Sequence, residues 1–218
     1  MNEAESIGAV LDDLDSAFSG SVHEHDVLVV DTLSDDGTPE IARARGARVA
    51  EEPRRGYGIA YKTGFAAAEG DVIATLDADC TYPAEDIPAL CDILSSEELD
   101  FITTDRFAAM DEGAMSAKHR FGNWVLTKTM NLLFGLRIRD SQSGMWVFRR
   151  EVLDRFELRF DGMPLSQEIK IEAMGKCRAK ELPITYRQRV GDVKLSSWKD
   201  GSENFLALWR KRFLRASP

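Results

Sequence analysis

Leu76-Asp77-Ala78-Asp79 sets two carboxylates one residue apart at the end of a short apolar run. Held at the tip of a strand, such a pair can reach one hard divalent cation. Mg²⁺ or Mn²⁺ takes oxygen ligands and completes its shell with water or phosphate oxygens. On its own the tripeptide reads more often as a solvated turn, so its surroundings decide its weight. A further carboxylate, Asp31, closes another apolar run. Arg106, Arg120, Arg187, Arg189 and Lys194 offer positive charge to phosphate oxygens. Any one of them is as readily a surface ion pair. Glu168, in Ser166-Gln167-Glu168-Ile169, suits a weak base or an orienting group, and equally a first-turn glutamate favoured by the helix dipole. The only histidines are His23, His25 and His119. No Ser/His/Asp arrangement is visible, so nucleophilic acyl chemistry is not indicated.

These residues must be positioned by an alternation of helices and strands. Ile7, Val10, Leu11, Leu14 and Phe18 follow helical spacing, which predicts a helix over about residues 4–18. Asp26-Val27-Leu28-Val29-Val30 reads as a buried strand ending at Asp31. Thr38-Pro39-Glu40 opens a helix and Gly46 closes it. Ala47-Arg48-Val49-Ala50 is a second strand, 58–68 a helix and 71–76 a third strand. Pro83 begins another helix, and 100–104 is a fourth strand. Alternating strands and helices argue for a mostly parallel, doubly wound sheet with flanking helices. Such sheets bind ligands beyond the carboxyl ends of their strands, where Asp31, Asp77 and Asp79 fall. Further on, helices are predicted over 116–135 and 164–175, and strands over 144–149 and 181–187. The helix over 198–214 is amphipathic and ends in a basic run, Arg210-Lys211-Arg212-Phe213-Leu214-Arg215. The expected division is a catalytic domain over 1–197 and this basic helical flank over 198–218.

The 218 residues are 44% hydrophobic and 30% charged, which suits one globular domain. No apolar run of about 18 residues occurs, so no spanning helix is predicted. The acidic, polar start does not read as a secretory leader. Cys80, Cys91 and Cys177 are odd in number and lack metal-site spacing, so they read as small core hydrophobes in a reducing cytosol. The net charge of −9 conceals a split. Residues 1–114 hold 7 basic and 26 acidic residues, whereas residues 115–218 hold 21 and 11. The acidic half fits a solvated, salt-adapted surface. The basic half suits an anionic membrane surface or a phosphorylated substrate, or is simply a solvated face. Overall acidity makes nucleic acid the weakest partner.

Several segments together resemble family 2 glycosyltransferases. These are Val29-Val30-Asp31-Thr32-Leu33-Ser34-Asp35-Asp36-Gly37-Thr38, Arg55-Gly56-Tyr57-Gly58-Ile59-Ala60, and Gly70-Asp71 leading to Asp77-Ala78-Asp79. Asp140-Ser141-Gln142-Ser143-Gly144 with Phe148-Arg149, and Gly191-Asp192-Val193-Lys194-Leu195-Ser196, continue the pattern. The resemblance points to the dolichyl-phosphate mannosyl- and glucosyltransferase branch, in an archaeal form. It implies an α/β GT-A nucleotide-diphospho-sugar transferase fold. It implies nucleotide-sugar contacts from Glu3, Val30, Asp31, Gly56, Asp77, Ala78, Asp79, Arg189 and Lys194. It implies Mg²⁺ or Mn²⁺ at Asp77 and Asp79 with Thr81, and an acceptor phosphate held by Arg106 and Arg120. Asp79, Glu168, Arg106 and Arg120 are then the catalytic candidates. The family pattern opens with a central strand before Asn-Glu, whereas this sequence opens at Met1-Asn2-Glu3. The expectation is a native chain that starts upstream and a gap in the sheet here. Direct hydrogen bonding between 27–30 and 72–76 would overturn it. The family's second aspartate and following glycine are Thr32 and Leu33.

The expected reaction is inverting transfer of a hexose from a UDP- or GDP-sugar to dolichyl or polyprenyl phosphate, serving protein glycosylation. The expected place is the cytoplasmic face of the cell membrane, reached peripherally. A lipid phosphate is already anionic, so it needs positioning more than a strong base. Phe205, Leu206, Leu208, Trp209, Phe213 and Leu214 beside the basic run suit an interfacial helix, as does the segment around Phe121 and Trp124. Competing readings are a transferase with a soluble or polysaccharide acceptor, a sugar nucleotidyltransferase, and an inactive scaffold. The nucleotidyltransferase would need a Gly-rich phosphate loop after the first strand, which is not seen.

Overall fold

The structure, a computed structural model, describes residues 1–191 and 197–214, with side chains in the second stretch from 201 to 213. Its elements in chain order are α1 (Ile7–Phe18), β1 (Leu28–Asp31), α2 (Thr38–Ala44), β2 (Arg48–Glu51), α3 (Tyr57–Ala67) and β3 (Val72–Thr75). There follow α4 (Ile87–Ser96), β4 (Phe101–Met110), α5 (Ala117–Phe134), β5 (Trp146–Arg149), α6 (Leu165–Lys176), β6 (Ala179–Tyr186) and α7 (Ser197–Leu214). The predicted order of strands and helices is the observed one.

The sheet is mixed and falls into two pieces. β1 pairs with β2 in parallel. The larger piece has the order β3-β5-β4-β6, in which β5 runs antiparallel to both neighbours and β4 pairs with β6 in parallel. β5 has Trp146, Val147 and Phe148 fully buried, the near-continuous apolar run of a strand covered on both faces. β4 is longer than expected, because after a register shift between Asp105 and Ala109 it continues along β6. β1 and β3 are not hydrogen-bonded to each other. The break thus lies between the two strands whose ends carry Asp31 and Asp77.

Three apolar clusters hold the layers. Ile7, Leu11, Leu14, Ile87, Leu90 and Leu94 from α1 and α4 pack on one face of the sheet. Phe65 of α3 and Ile169 and Ala173 of α6 cover the other, against Phe101, Trp146 and Phe148. Met130 of α5, Ile171 of α6 and Leu208 of α7 form the third. The cysteines are free, with Cys80 and Cys91 packed on the first cluster and Cys177 on the second. α7 is docked on the domain through buried Asn204, Ala207, Leu208 and Lys211.

Candidate active site

The N-terminal segment and two strand ends converge on one corner. Asp31, at the end of β1, is buried and accepts from the Ser34 amide at 2.9 Å. Between them Leu33 adopts φ 60°, a left-handed conformation at the place where the family pattern has glycine. The backbone amides of Asn2, Glu3 and Ala4 bind Ser34, Thr38 and Asp36 of the following loop. Ser6, at the start of α1, donates to the Ala78 carbonyl at 2.6 Å. The Met1–Ser6 segment therefore ties the Asp31 loop to the Asp77-Ala78-Asp79 turn.

Within this corner Asp79 is buried and divided between two partners. One carboxylate oxygen accepts from the Thr81 hydroxyl at 2.6 Å and the Thr81 amide at 3.1 Å. The other faces the Arg189 guanidinium at 2.9 Å. Arg189 also donates to Glu3 at 2.8 Å, while its buried Nε has no hydrogen-bond partner among the described residues. Burial and the neighbouring Asp79 charge push Asp77 up to about 7, against the pull of Arg106 and Arg189. Two carboxylates, one already holding a cation and the other starved of one, suit a divalent ion. The orphan Arg189 Nε suits an anion beside it. Among the described residues no cluster of three or more His, Cys, Asp or Glu side chains is arranged to hold a metal, so phosphate oxygens would have to complete its shell. Thr81 is buried behind Asp79 and orients it, rather than standing as an open ligand.

A second layer rises from the loop over 140–144. The Asp140 carboxylate takes a bidentate pair of bonds from Arg106, at 2.6 and 3.0 Å, with both residues buried. Burial opposes charge on each, yet the pairing holds Asp140 down at about 2 and raises Arg106 further. Arg106 also lies over the Tyr186 ring, 5.2 Å from its centre. Lys170 of α6 donates to the Asp140 carbonyl at 2.8 Å, and burial lowers it to about 7. Gly144 sits among three tyrosines. Its amide donates to the Tyr82 hydroxyl at 2.7 Å, and the Tyr61 hydroxyl donates to its carbonyl at 3.3 Å and to Asp77 at 3.4 Å. A Cβ at Gly144 would lie 2.7 Å from the Tyr57 hydroxyl.

The expected residues thus divide. Glu3, Asp77, Ala78, Asp79, Thr81 and Arg189 come together, and Asp31 is joined to them by the N-terminal segment. Val30 lies just before Asp31 on β1, with a methyl 3.1 Å from where a Cβ on Gly64 would stand. Arg106 is buried in its pair with Asp140, whereas Arg120 is exposed on the first turn of α5. Lys194 lies outside the described residues. Gly56 and Gly58 make their close approach to protein backbone. A Cβ would lie 2.6 Å from the Asp161 carbonyl at Gly56 and 2.5 Å from the Phe160 carbonyl at Gly58. Glu168 differs most from expectation as a base or orienting group. Its oxygens accept from the Arg159 and Phe160 amides and from Lys211, at 2.8–2.9 Å, deep between α6 and α7. It joins two helices and a loop.

Sequence reasoning missed Tyr61, Tyr82, Ser6 and Lys211. Tyr57 and Tyr61 share a helix face at i,i+4, and Tyr82 directly follows Thr81, which were the available signals. Nothing local marks Lys211, whose acidic partners lie some forty residues earlier.

Over 1–156 the chain matches the family described as Glycosyl transferase family 2. It is 37% identical over 202 residues to a dolichyl-phosphate hexose transferase of Haloferax volcanii, covering 92% of this chain and 86% of that one. It is also 37% identical over 204 residues to the low-salt glycan biosynthesis hexosyltransferase Agl6 of the same organism, spanning 49% of that protein's length. The fold matches that of glucosyl-3-phosphoglycerate synthase from Mycobacterium tuberculosis with a TM-score of 0.77 at 19% identity, over 97% of this chain and 76% of that one. The sheet and its flanking helices are those of a GT-A fold, and the chain belongs to glycosyltransferase family 2.

Proposed function

We propose that the protein transfers a hexose, with inversion, from a UDP- or GDP-linked sugar to dolichyl or polyprenyl phosphate. We place it peripherally at the cytoplasmic face of the cell membrane, in a step that serves protein glycosylation. The observation that carries this reading is the Asp77, Asp79, Arg189 and Glu3 corner, built at strand ends in a chain 37% identical to a dolichyl-phosphate hexose transferase. The metal reading, Mg²⁺ or Mn²⁺, rests on the carboxylate pair. When bound, the ion would neutralise charge developing on the diphosphate leaving group.

Asp77 and Asp79 hold the diphosphate end of the donor, with Thr81 fixing the rotamer of Asp79. Arg189, freed from Asp79, turns toward the diphosphate oxygens. Glu3 and Asp31 line the nucleoside side, where the N-terminal segment fixes their distance from the acidic turn. Arg106, kept charged by Asp140, supplies positive potential beside Asp77 and draws the acceptor phosphate inward. Arg120 meets that phosphate from the exposed end of α5. The acceptor oxygen forms a bond to the anomeric carbon as the bond to the diphosphate oxygen breaks, and the nucleoside diphosphate leaves. The acceptor is anionic beforehand, so no side chain removes a proton, in keeping with Glu168 being fully engaged.

The test supplies labelled UDP- and GDP-hexoses one at a time with dolichyl phosphate and Mg²⁺ or Mn²⁺. Label in the organic phase, lost in Asp79→Ala, is the expected result. No label from any donor would contradict the reading.

A further inference from the structure

α5 and α7 pack on each other around Met130 and Leu208. Each turns a second apolar stripe outward. On α5, Phe121 and Leu132 are 66% and 84% exposed, with Trp124 beside them. On α7, Leu206, Trp209 and Phe213 lie opposite buried Asn204, Leu208 and Lys211. The exposed rings stack within each helix, Phe121 on Trp124 and Trp209 on Phe213, with centres 6.0 and 5.8 Å apart. Among the described residues, seven of the eleven exposed large hydrophobic side chains belong to these two helices. Isolated exposed apolar residues need no explanation, but a concentration of this kind marks an interaction surface.

The charge around the stripes selects the partner. α5 has no acidic residue, and α7 has none after Glu203. Lys128 lies in line with Phe121 and Leu132, and Arg210 and Arg212 flank Trp209 and Phe213, all exposed. A second copy docking through the same face would bring these cations against one another. Aromatic and aliphatic anchors ringed by Lys and Arg instead match the headgroup region of an anionic bilayer.

The same helices reach the reaction site. Thr127 of α5 donates to Ser141 at 2.9 Å, and Asn204 of α7 donates to Gln142 at 3.2 Å. The loop they touch carries Asp140, the partner of Arg106, and Gly144, which shares Tyr61 with Asp77. We infer that the outward face of α5 and α7 is a membrane-docking surface for anionic lipid. Phe121, Trp124, Leu132, Leu206, Trp209 and Phe213 enter the interface, and Lys128, Arg210 and Arg212 meet the headgroups. The face extends the reading of a lipid-phosphate acceptor, because it sets the 140–144 loop close to the layer in which such a phosphate lies.

The experiment is flotation of the full chain with vesicles of phosphatidylcholine alone or with roughly 30% phosphatidylglycerol. Two variants are compared. One is Phe121→Ser/Trp124→Ser/Trp209→Ser/Phe213→Ser, the other Lys128→Glu/Arg210→Glu/Arg212→Glu. Both change exposed positions, and unaltered thermal unfolding checks that they fold. The wild type is expected to float with the anionic vesicles, and each variant to partition at least about tenfold less. Raised salt should weaken the wild type's binding without abolishing it, since screening removes the charge component alone. A wild type that stays in solution with every vesicle overturns the inference. So does a concentration-dependent dimer that the serine variant abolishes, which would make the face a protein interface. Transfer to a short-chain prenyl phosphate that stays dissolved separates this test from the function. Flotation lost with transfer intact sinks the docking face alone. Flotation without transfer sinks the acceptor reading alone.

Discussion

Arg189 and Asp79 form an ion pair in the corner proposed to receive the diphosphate. The pair makes the unliganded corner self-neutralising, and a divalent ion must displace the guanidinium to reach Asp79. Arg189→Ala is therefore expected to bind Mn²⁺ severalfold more tightly in the absence of nucleotide, read by the paramagnetic resonance of free Mn²⁺. Weaker or unchanged binding would show that Arg189 does not compete for the site. Asp77 gives a prediction with a defined sign. In the folded chain it titrates at about 7 against 3.8 for the ordinary side chain, so folding retains a proton that the unfolded chain releases. Its contribution is full below the unfolded value and is lost as pH rises through about 7. Asp77→Asn should accordingly raise the melting temperature relative to wild type most at pH 8 and clearly less at pH 5, where only the first part of the loss has accrued. Equal shifts at the two pH values would mean that burial and Asp79 do not raise Asp77 in the folded chain. The two carboxylates and Asp31 were legible in the sequence, because each ends an apolar run. The Asp140–Arg106 pair was legible only as two separate fragments, since a 34-residue separation leaves no local trace of the contact.

Helices α6 and α7 are joined by one buried ammonium. Lys211 lies 2.9 Å from Glu168 and 2.7 Å from Glu172 and donates to the Glu157 carbonyl. Replacing it with Met takes the cation from buried Glu168, which keeps only the Arg159 and Phe160 amides, while Glu172 retains Lys176, and should cost about 3 kcal/mol in urea unfolding. A loss below about 1 kcal/mol would mean that the ammonium contributes little to holding α7 on the domain. Gly58→Ala tests the opposite side of the same loop. The new methyl would lie 2.5 Å from the Phe160 carbonyl and 2.8 Å from the Asp161 carbonyl carbon, both backbone. The loop over 157–161 must then shift, and about 1–3 kcal/mol of stability should be lost. At this scale helix positions followed from apolar spacing and caps, within a few residues. Strand direction did not follow, because an apolar run such as Trp146-Val147-Phe148 looks the same in either orientation. The continuation of β4 past Thr104 was hidden for a related reason. Asp105-Arg106 reads as a polar stop, yet both side chains are buried by partners from other elements.

The whole molecule separates two kinds of surface. The first 114 residues hold 26 acidic and 7 basic residues, and the remainder reverses the balance. The acidic corner at β1 and β3 is thus provided by one half of the chain, and Arg189, which pairs with it, by the other. That division was visible in the sequence. The break between β1 and β3 lies where the family pattern places a strand, and the N-terminal segment bridges it on the side of the acidic turn. The central claim is that this corner binds the diphosphate of a nucleotide sugar through a divalent ion. Calorimetric titration of UDP and of GDP, each with and without Mn²⁺, tests it most directly on wild type and Asp79→Ala. One nucleotide should bind only with the ion present, and Asp79→Ala should weaken it about a hundredfold or more while the protein remains folded at the temperature of the titration. Binding that needs no ion and survives in Asp79→Ala would contradict the account.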